Sequence, residues 1–95
     1  MSMPYMVSPS QSVLVTLKEI ARKARSLRRQ REFGVNLKWM MQELERTPLE
    51  FGEARYADGD PGLKIRVGFV GPVMVRYAVH EESRTVFIGR VRAKL

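Results

Sequence analysis

The sequence contains no cysteine. Disulfides, thiolate nucleophiles and cysteine-ligated zinc are therefore excluded. The same absence fits a reducing cytosol, so a cytoplasmic location is expected. Histidine is almost missing: His80 stands alone. One imidazole without a thiol leaves no metal-ligand set, and neither a metal nor a cofactor is expected. Long apolar runs are missing too. The longest, counting Gly and Pro, runs from Val67 to Val75. A membrane span needs about 20 apolar residues, so no membrane partner is expected. Met1 to Met6 has no basic stretch, and no signal peptide is read there.

What the chain does have is positive charge. Its 95 residues carry 17 Lys/Arg against 10 Asp/Glu, a net charge of +7. At this length residues 1–95 are expected to form one domain, since two would each be too small to bury a core. A hydrophobic content of 44% places the chain among globular proteins. The basic excess favours nucleic acid, the ribosome, an anionic surface or an acidic protein as partner. It is spread in blocks. Residues 18–31 hold seven Lys/Arg and one Glu, residues 43–60 six acids and two Arg, and residues 64–95 seven Lys/Arg and two Glu.

Hydropathy patterning supplies the elements. Pro4 to Val7 reads as a short strand ended by Ser8-Pro9. Ser8 then reads as a helix N-cap, with Pro9 at the first helical position and Gln11 completing a capping box. Val13, Leu17, Ile20, Ala24 and Leu27 form an apolar stripe, which predicts a helix over about 9–30. Phe33, Leu37, Met40, Met41 and Leu44 form a second stripe. Gly34 puts the break between the helices near 31–34, and Pro48 ends the second helix. Residues 49–62 read as loop.

From Leu63 the period becomes two. Leu63, Ile65, Val67 and Phe69 make one alternating set, Val73, Val75, Tyr77 and Val79 another, and Phe87 and Val91 a third. Gly71-Pro72 and Glu81-Glu82-Ser83 connect three antiparallel strands. If the apolar sets face the helices, the other sheet face gathers Lys64, Arg66, Arg76, His80, Arg90 and Arg92. Alternate strand residues lie about 6.5–7 Å apart, a spacing that suits successive phosphates. Arginine also grips phosphate bidentately and stabilises charge in a phosphoryl transition state. The alternative is a solvated face kept from aggregating by its charges.

Other candidates carry less. His80 reads as a turn residue or as a general acid or base. Trp39 lies off its helix stripe and reads as helix packing, a stacking platform or a dimer contact. Tyr77 carries core parity. The serines lack triad partners, and no helix follows Gly68, Gly71 or Gly89 to make a phosphate loop.

Several phrases in order are more specific than any of these alone. They are Ser8-Pro9 before the first helix, Thr47 to Glu53 after the second, Leu63 to Gly68, Val75 to Val79 and Val86 to Ile88. Together they resemble the RelE/ParE superfamily of small toxins from toxin–antitoxin pairs. The resemblance implies an α+β fold: an N-terminal strand and an αα-hairpin packed on a three- to four-stranded antiparallel sheet. It implies an antitoxin that wraps the protein. For the RelE branch it implies metal-independent cleavage of messenger RNA on the ribosome, in which a ribose 2′-hydroxyl attacks the neighbouring phosphate. The ParE branch instead acts on DNA gyrase, and a long first helix leans that way.

Residue by residue, the resemblance assigns Arg66, Arg76 and Arg90 to catalysis. It assigns Lys64, Arg66, Arg76, Arg90 and Arg92 to nucleic-acid binding. The family's arginine three residues before the tyrosine is Met74 here, with Arg76 on the same face. No tyrosine or histidine follows the last strand, where many active members carry one. A non-enzymatic binding module on the same scaffold is therefore an open alternative. A homodimer through the helices is a further partner candidate.

Overall fold

The structure is a computed structural model and describes residues 3–55 and 62–95. The turn expected at Asp58 to Pro61 lies outside the described residues. The elements are β1 (Met6–Pro9), α1 (Gln11–Ser26), α2 (Gln30–Arg46), α3 (Pro48–Phe51), β2 (Glu53–Ala54), β3 (Leu63–Val70), β4 (Val73–His80) and β5 (Thr85–Ala93). Among the described residues the strands form one sheet in the order β1-β5-β4-β3-β2. The sheet thus has five strands, not three or four. It is also mixed: β1 runs parallel to β5, while every other neighbour is antiparallel.

The N-terminal elements sit two residues later than the pattern suggested. Pro9 ends β1 opposite Ile88, and Ser10, not Ser8, caps the helix. The Ser10 side chain accepts the Val13 N–H at 3.2 Å. Pro9 is harmless in this strand because β1 is the sheet edge and its missing N–H leaves no ladder bond unmade. The Ser10 N–H then continues the ladder to the Ile88 carbonyl at 3.3 Å.

The break between the helices also moves. α1 stops at Ser26, and the joint is Leu27 to Arg29. The Arg29 N–H bonds the Ala24 carbonyl and the Arg28 N–H bonds the Arg25 carbonyl, a Schellman arrangement that satisfies two orphan carbonyls. It requires a left-handed residue, and Arg28 takes that role at φ 58°. Gly34, which suggested a break, is an exposed residue inside α2. Burial of Phe33 holds the helix through it. The two positions therefore carry each other's preferred residue. Gly34→Ala meets nothing within 4 Å and is expected to stabilise by about 0.5–1 kcal/mol. Arg28→Gly is expected to stabilise by a similar amount, about 0.5–1 kcal/mol, by removing left-handed strain. Chemical denaturation of the two variants checks both.

The core lies between the helices and one sheet face. α1 and α2 contribute Val13, Ala24, Phe33, Met40 and Leu44, and β4 contributes Val73, Val75, Tyr77 and Val79. From β5 come Val86, Ile88 and Val91. No polar or charged residue is buried among the described residues. Tyr77 is in the core as its parity demanded, and its hydroxyl is paired. It donates to the Pro48 carbonyl at 2.6 Å and accepts the Gly52 N–H at 3.0 Å. These bonds pin α3 over the helix side of β3 and the start of β2 beside it; both elements were read as loop from the sequence. Phe51 stacks on Tyr77 with ring centroids 6.1 Å apart. Gly68 makes room for it, since a Cβ there would stand 2.4 Å from the Phe51 ring.

Candidate nucleic-acid interface

Strand register decides which side chains share the face away from the helices. Val73, Val75, Tyr77 and Val79 are buried, so Met74, Arg76, Ala78 and His80 point outward. Across β3 the outward partners are Phe69 opposite Met74, Val67 opposite Arg76 and Ile65 opposite Ala78. Lys64 and Arg66 pair with Val79 and Tyr77, and so lie on the helix side. The expected parity of β3 is therefore reversed. The physical reason is the α3–β2 segment. α3 packs over β3 on the helix side, where Gly68 accommodates Phe51, and β2 then continues as the edge strand beside β3; the Arg66 guanidinium donates to the Gly52 carbonyl between them. Lys64 is held by Glu81 at 2.7 Å.

β5 is also reversed, in part, by a bulge. Arg76 stands opposite Arg90, yet the next residue, Tyr77, stands opposite Ile88. Gly89 is the extra residue. Before it Phe87 faces out and Ile88 in; after it Arg90 faces out and Val91 in. Without the bulge Arg90 would point into the core and Val91 into solvent. An isolated glycine within an alternating run is the signal for such a bulge, and Gly89 carried it.

Three cross-strand rows result. They are Ile65, Ala78 and Phe87; Val67, Arg76 and Arg90; and Phe69, Met74 and Arg92. Ile65, Arg76, Ala78, Phe87, Gly89 and Arg90 line a shallow groove of about 400 Å³. Phe69 and Phe87, both read from the sequence as core residues, are 64% and 46% exposed on this face. Arg76, Arg90 and Arg92 have no ion pair or hydrogen bond among the described residues. Two like charges directly opposite on adjacent strands repel, and neither forms an ion pair among the described residues; Glu53, the carboxylate that shares their row beyond Val67, lies 3.8 Å from Arg55 instead. Such an arrangement suits an anion from outside. The flat aromatic surfaces beside the guanidinium groups suit bases or other planar groups.

Of the sequence candidates, then, Arg76, Arg90 and Arg92 converge. Lys64 and Arg66 are engaged elsewhere. His80 shares the outward face but lies four residues along β4 from Arg76, roughly 13 Å away. Its Nδ1 accepts the Ser83 N–H at 3.2 Å and lies 2.6 Å from the Ser83 hydroxyl, which closes the β4–β5 turn. Trp39 is 57% exposed on the solvent side of α2 and joins none of these groups. Among the described residues no three His, Cys, Asp or Glu side chains gather to hold a metal ion. No helix there is long and apolar enough to cross a membrane.

Among solved structures, the chain resembles one in the crystal structure of an archaeal RelE–RelB complex from Pyrococcus horikoshii OT3. The TM-score is 0.67 at 18% sequence identity, and the match covers 96% of each chain. No protein-family model and no curated protein matches the sequence. At that identity the likeness is one of fold, and the fold is RelE-like.

Proposed function

We propose that this chain is the toxin-type member of a toxin–antitoxin pair and acts on RNA through Arg76, Arg90 and Arg92. The observation that carries the reading is the uncompensated pair Arg76 and Arg90, directly opposite across β4 and β5 in a groove edged by Phe87. Folding gains nothing from holding two guanidinium groups there. A phosphodiester gains two bidentate donors and two charges. The whole-chain likeness to a protein solved in complex with RelB supports an antitoxin-type partner.

In the RelE-like form of the reaction, the 2′-oxygen attacks the adjacent phosphorus and the 5′-oxygen leaves. Arg76 and Arg90 would hold the phosphate and stabilise the negative charge that gathers on its free oxygens. They would not move protons, because guanidinium stays protonated at neutral pH. Messenger RNA held on the ribosome is the substrate this reading implies. One observation favours binding without cleavage: among the described residues, no carboxylate or imidazole lines the groove that holds the arginine pair.

Induced expression of the chain in a bacterial culture tests the proposal. The native protein is expected to stop growth and protein synthesis within one or two generations. The variant Arg76→Gln/Arg90→Gln, at equal soluble level, is expected to leave growth normal. Mapping of messenger RNA 5′ ends then separates cleavage from binding. Continued growth with soluble native protein would overturn the toxin reading. Arrest of DNA synthesis ahead of protein synthesis would replace RNA with gyrase as target. The gyrase lean rested on a long first helix, and α1 spans only Gln11–Ser26.

A further inference from the structure

The outward face continues around an open strand edge. β1 ends opposite Ile88, so among the described residues β5 from Gly89 to Ala93 has no strand neighbour on that side. The N-terminal half of α1 lies beside it instead. Between them is a second groove of about 350 Å³, lined by Ser12, Thr16, Gly89, Arg90 and Arg92 among others. Its polar lining residues are two arginines, a serine and a threonine. No carboxylate lines it. Ser12 and Thr16 are four residues apart on α1 and share a face. The Ser12 hydroxyl meets only the equally exposed Ser10 hydroxyl, at 3.1 Å. The Thr16 side chain has no hydrogen bond among the described residues.

Arg90 lines both this groove and the sheet-face groove. The bulge at Gly89 makes this sharing possible. It turns Arg90 outward at the strand edge, and the glycine leaves the floor between the grooves without a side chain. Arg92 follows two residues later, about 6.6 Å along the strand.

We propose that this second groove is a phosphate subsite that takes the backbone phosphate next to the one held by Arg76 and Arg90. Arg92 supplies the charge, and Ser12 and Thr16 supply neutral donors. Arg90 bridges the two phosphates. The helical layer thereby reads RNA length and direction, which the sheet face alone does not. The inference rests on the RNA reading above.

The test is an NMR and anisotropy titration of the native chain with single-stranded RNA. A hexanucleotide spans both grooves; a dinucleotide with one internucleotide phosphate fills only the first. Ser12→Ala/Thr16→Val is expected to weaken the hexanucleotide by about 100-fold or more through two lost hydrogen bonds to a charged group. The dinucleotide should bind it as it binds the native chain, and the salt slope should not change. Arg92→Gln is expected to lower the hexanucleotide's salt slope by roughly 0.7, the value for one single-strand phosphate contact. Thr16→Ser, which keeps a hydroxyl, should restore binding.

Equal weakening of both RNAs would mean a general structural effect and would overturn the subsite. So would native affinity in Ser12→Ala/Thr16→Val and Arg92→Gln while Arg76→Gln is weak; the RNA reading would then stand without the subsite. Loss of nothing in any variant, Arg76→Gln included, would remove the RNA reading and the subsite together. Inorganic phosphate that saturates the Thr16 and Arg92 amide shifts, without competition from the hexanucleotide, would assign the groove to a free anion and overturn the backbone-phosphate assignment.

Discussion

The variant Arg76→Gln/Arg90→Gln should bind single-stranded RNA about 100-fold more weakly than the native chain and yet melt at a higher temperature. The two effects have one cause. In the free protein the guanidinium groups stand directly opposite each other with no counter-ion among the described residues. Like charges in that position destabilise a strand pair by about 0.2–1 kcal/mol. For a domain of this size that amounts to a melting temperature higher by roughly 1–6 °C in the variant. On RNA the same charges displace counter-ions and form charge-assisted hydrogen bonds worth about 1.5–3 kcal/mol each. The slope of log affinity against log salt should fall by about 1.4 if each arginine meets one phosphate. Glutamine retains most of the side-chain length, so the sheet face keeps its packing. A variant that melts lower and binds RNA as before would show that the pair serves the fold and not a ligand.

Tyr77→Phe is expected to act in the opposite direction, on stability rather than on binding. Tyr77 is 1% exposed, and its hydroxyl is the bonded partner of both the Pro48 carbonyl and the Gly52 N–H. Removing one oxygen leaves two backbone groups unsatisfied. Each buried unsatisfied group costs about 1–3 kcal/mol, so a loss of roughly 2–6 kcal/mol is expected, at about 4–8 °C in melting temperature for each kcal/mol. Space is short there: a Cβ on Gly52 would come within 2.7 Å of the Tyr77 hydroxyl. Arg76 and Arg90 point from the other face, so RNA affinity measured well below the melting range should change little.

Alkaline pH gives the same residue a second signature. Burial pushes the Tyr77 phenol above its ordinary value of 10.0, against the opposing pull of the Gly52 N–H and the Arg66 guanidinium. The unfolded chain releases that proton near pH 10 while the folded chain retains it. The contribution of Tyr77 to stability is thus intact below about pH 10 and is lost as pH rises toward the folded value. Denaturation of the native chain and Tyr77→Phe from pH 8 to pH 11 should show a smaller gap at the alkaline end.

Much of this was legible in the amino-acid order. The stripe from Val13 to Leu27 and the stripe from Phe33 to Leu44 marked two helices because a 3.6-residue period has no other use in a short chain. The end of the second helix at Pro48 was legible too, but the joint between the helices was not. Gly34 is a poor helix former, but burial of Phe33 outweighs its propensity; Arg28 is a poor left-handed residue, but the Schellman bonds require one. β1 was read two residues early, at Pro4 to Val7, and β2 escaped the period-two reading altogether, for a different reason. They are four and two residues long, and their pairing on β5 and β3 is long-range.

The interface divides along the same line. Alternation was enough to fix that arginines repeat along the last two strands and that Tyr77 points inward, while the RelE-like order of elements was read from the resemblance of several short phrases. The first two properties follow from local spacing. Which arginines meet does not. Alternation states that neighbours take opposite faces, but not which face is buried, and one extra residue inverts everything after it. Gly89 inverts β5 and brings Arg90 and Arg92 out beside Arg76. α3, anchored by Tyr77 and packed through Gly68, claims the helix side of β3, and Arg66 is drawn to the Gly52 carbonyl that follows it. Five expected cations become three, with Phe69 and Phe87 exposed among them, because face assignment is settled by what packs over a strand.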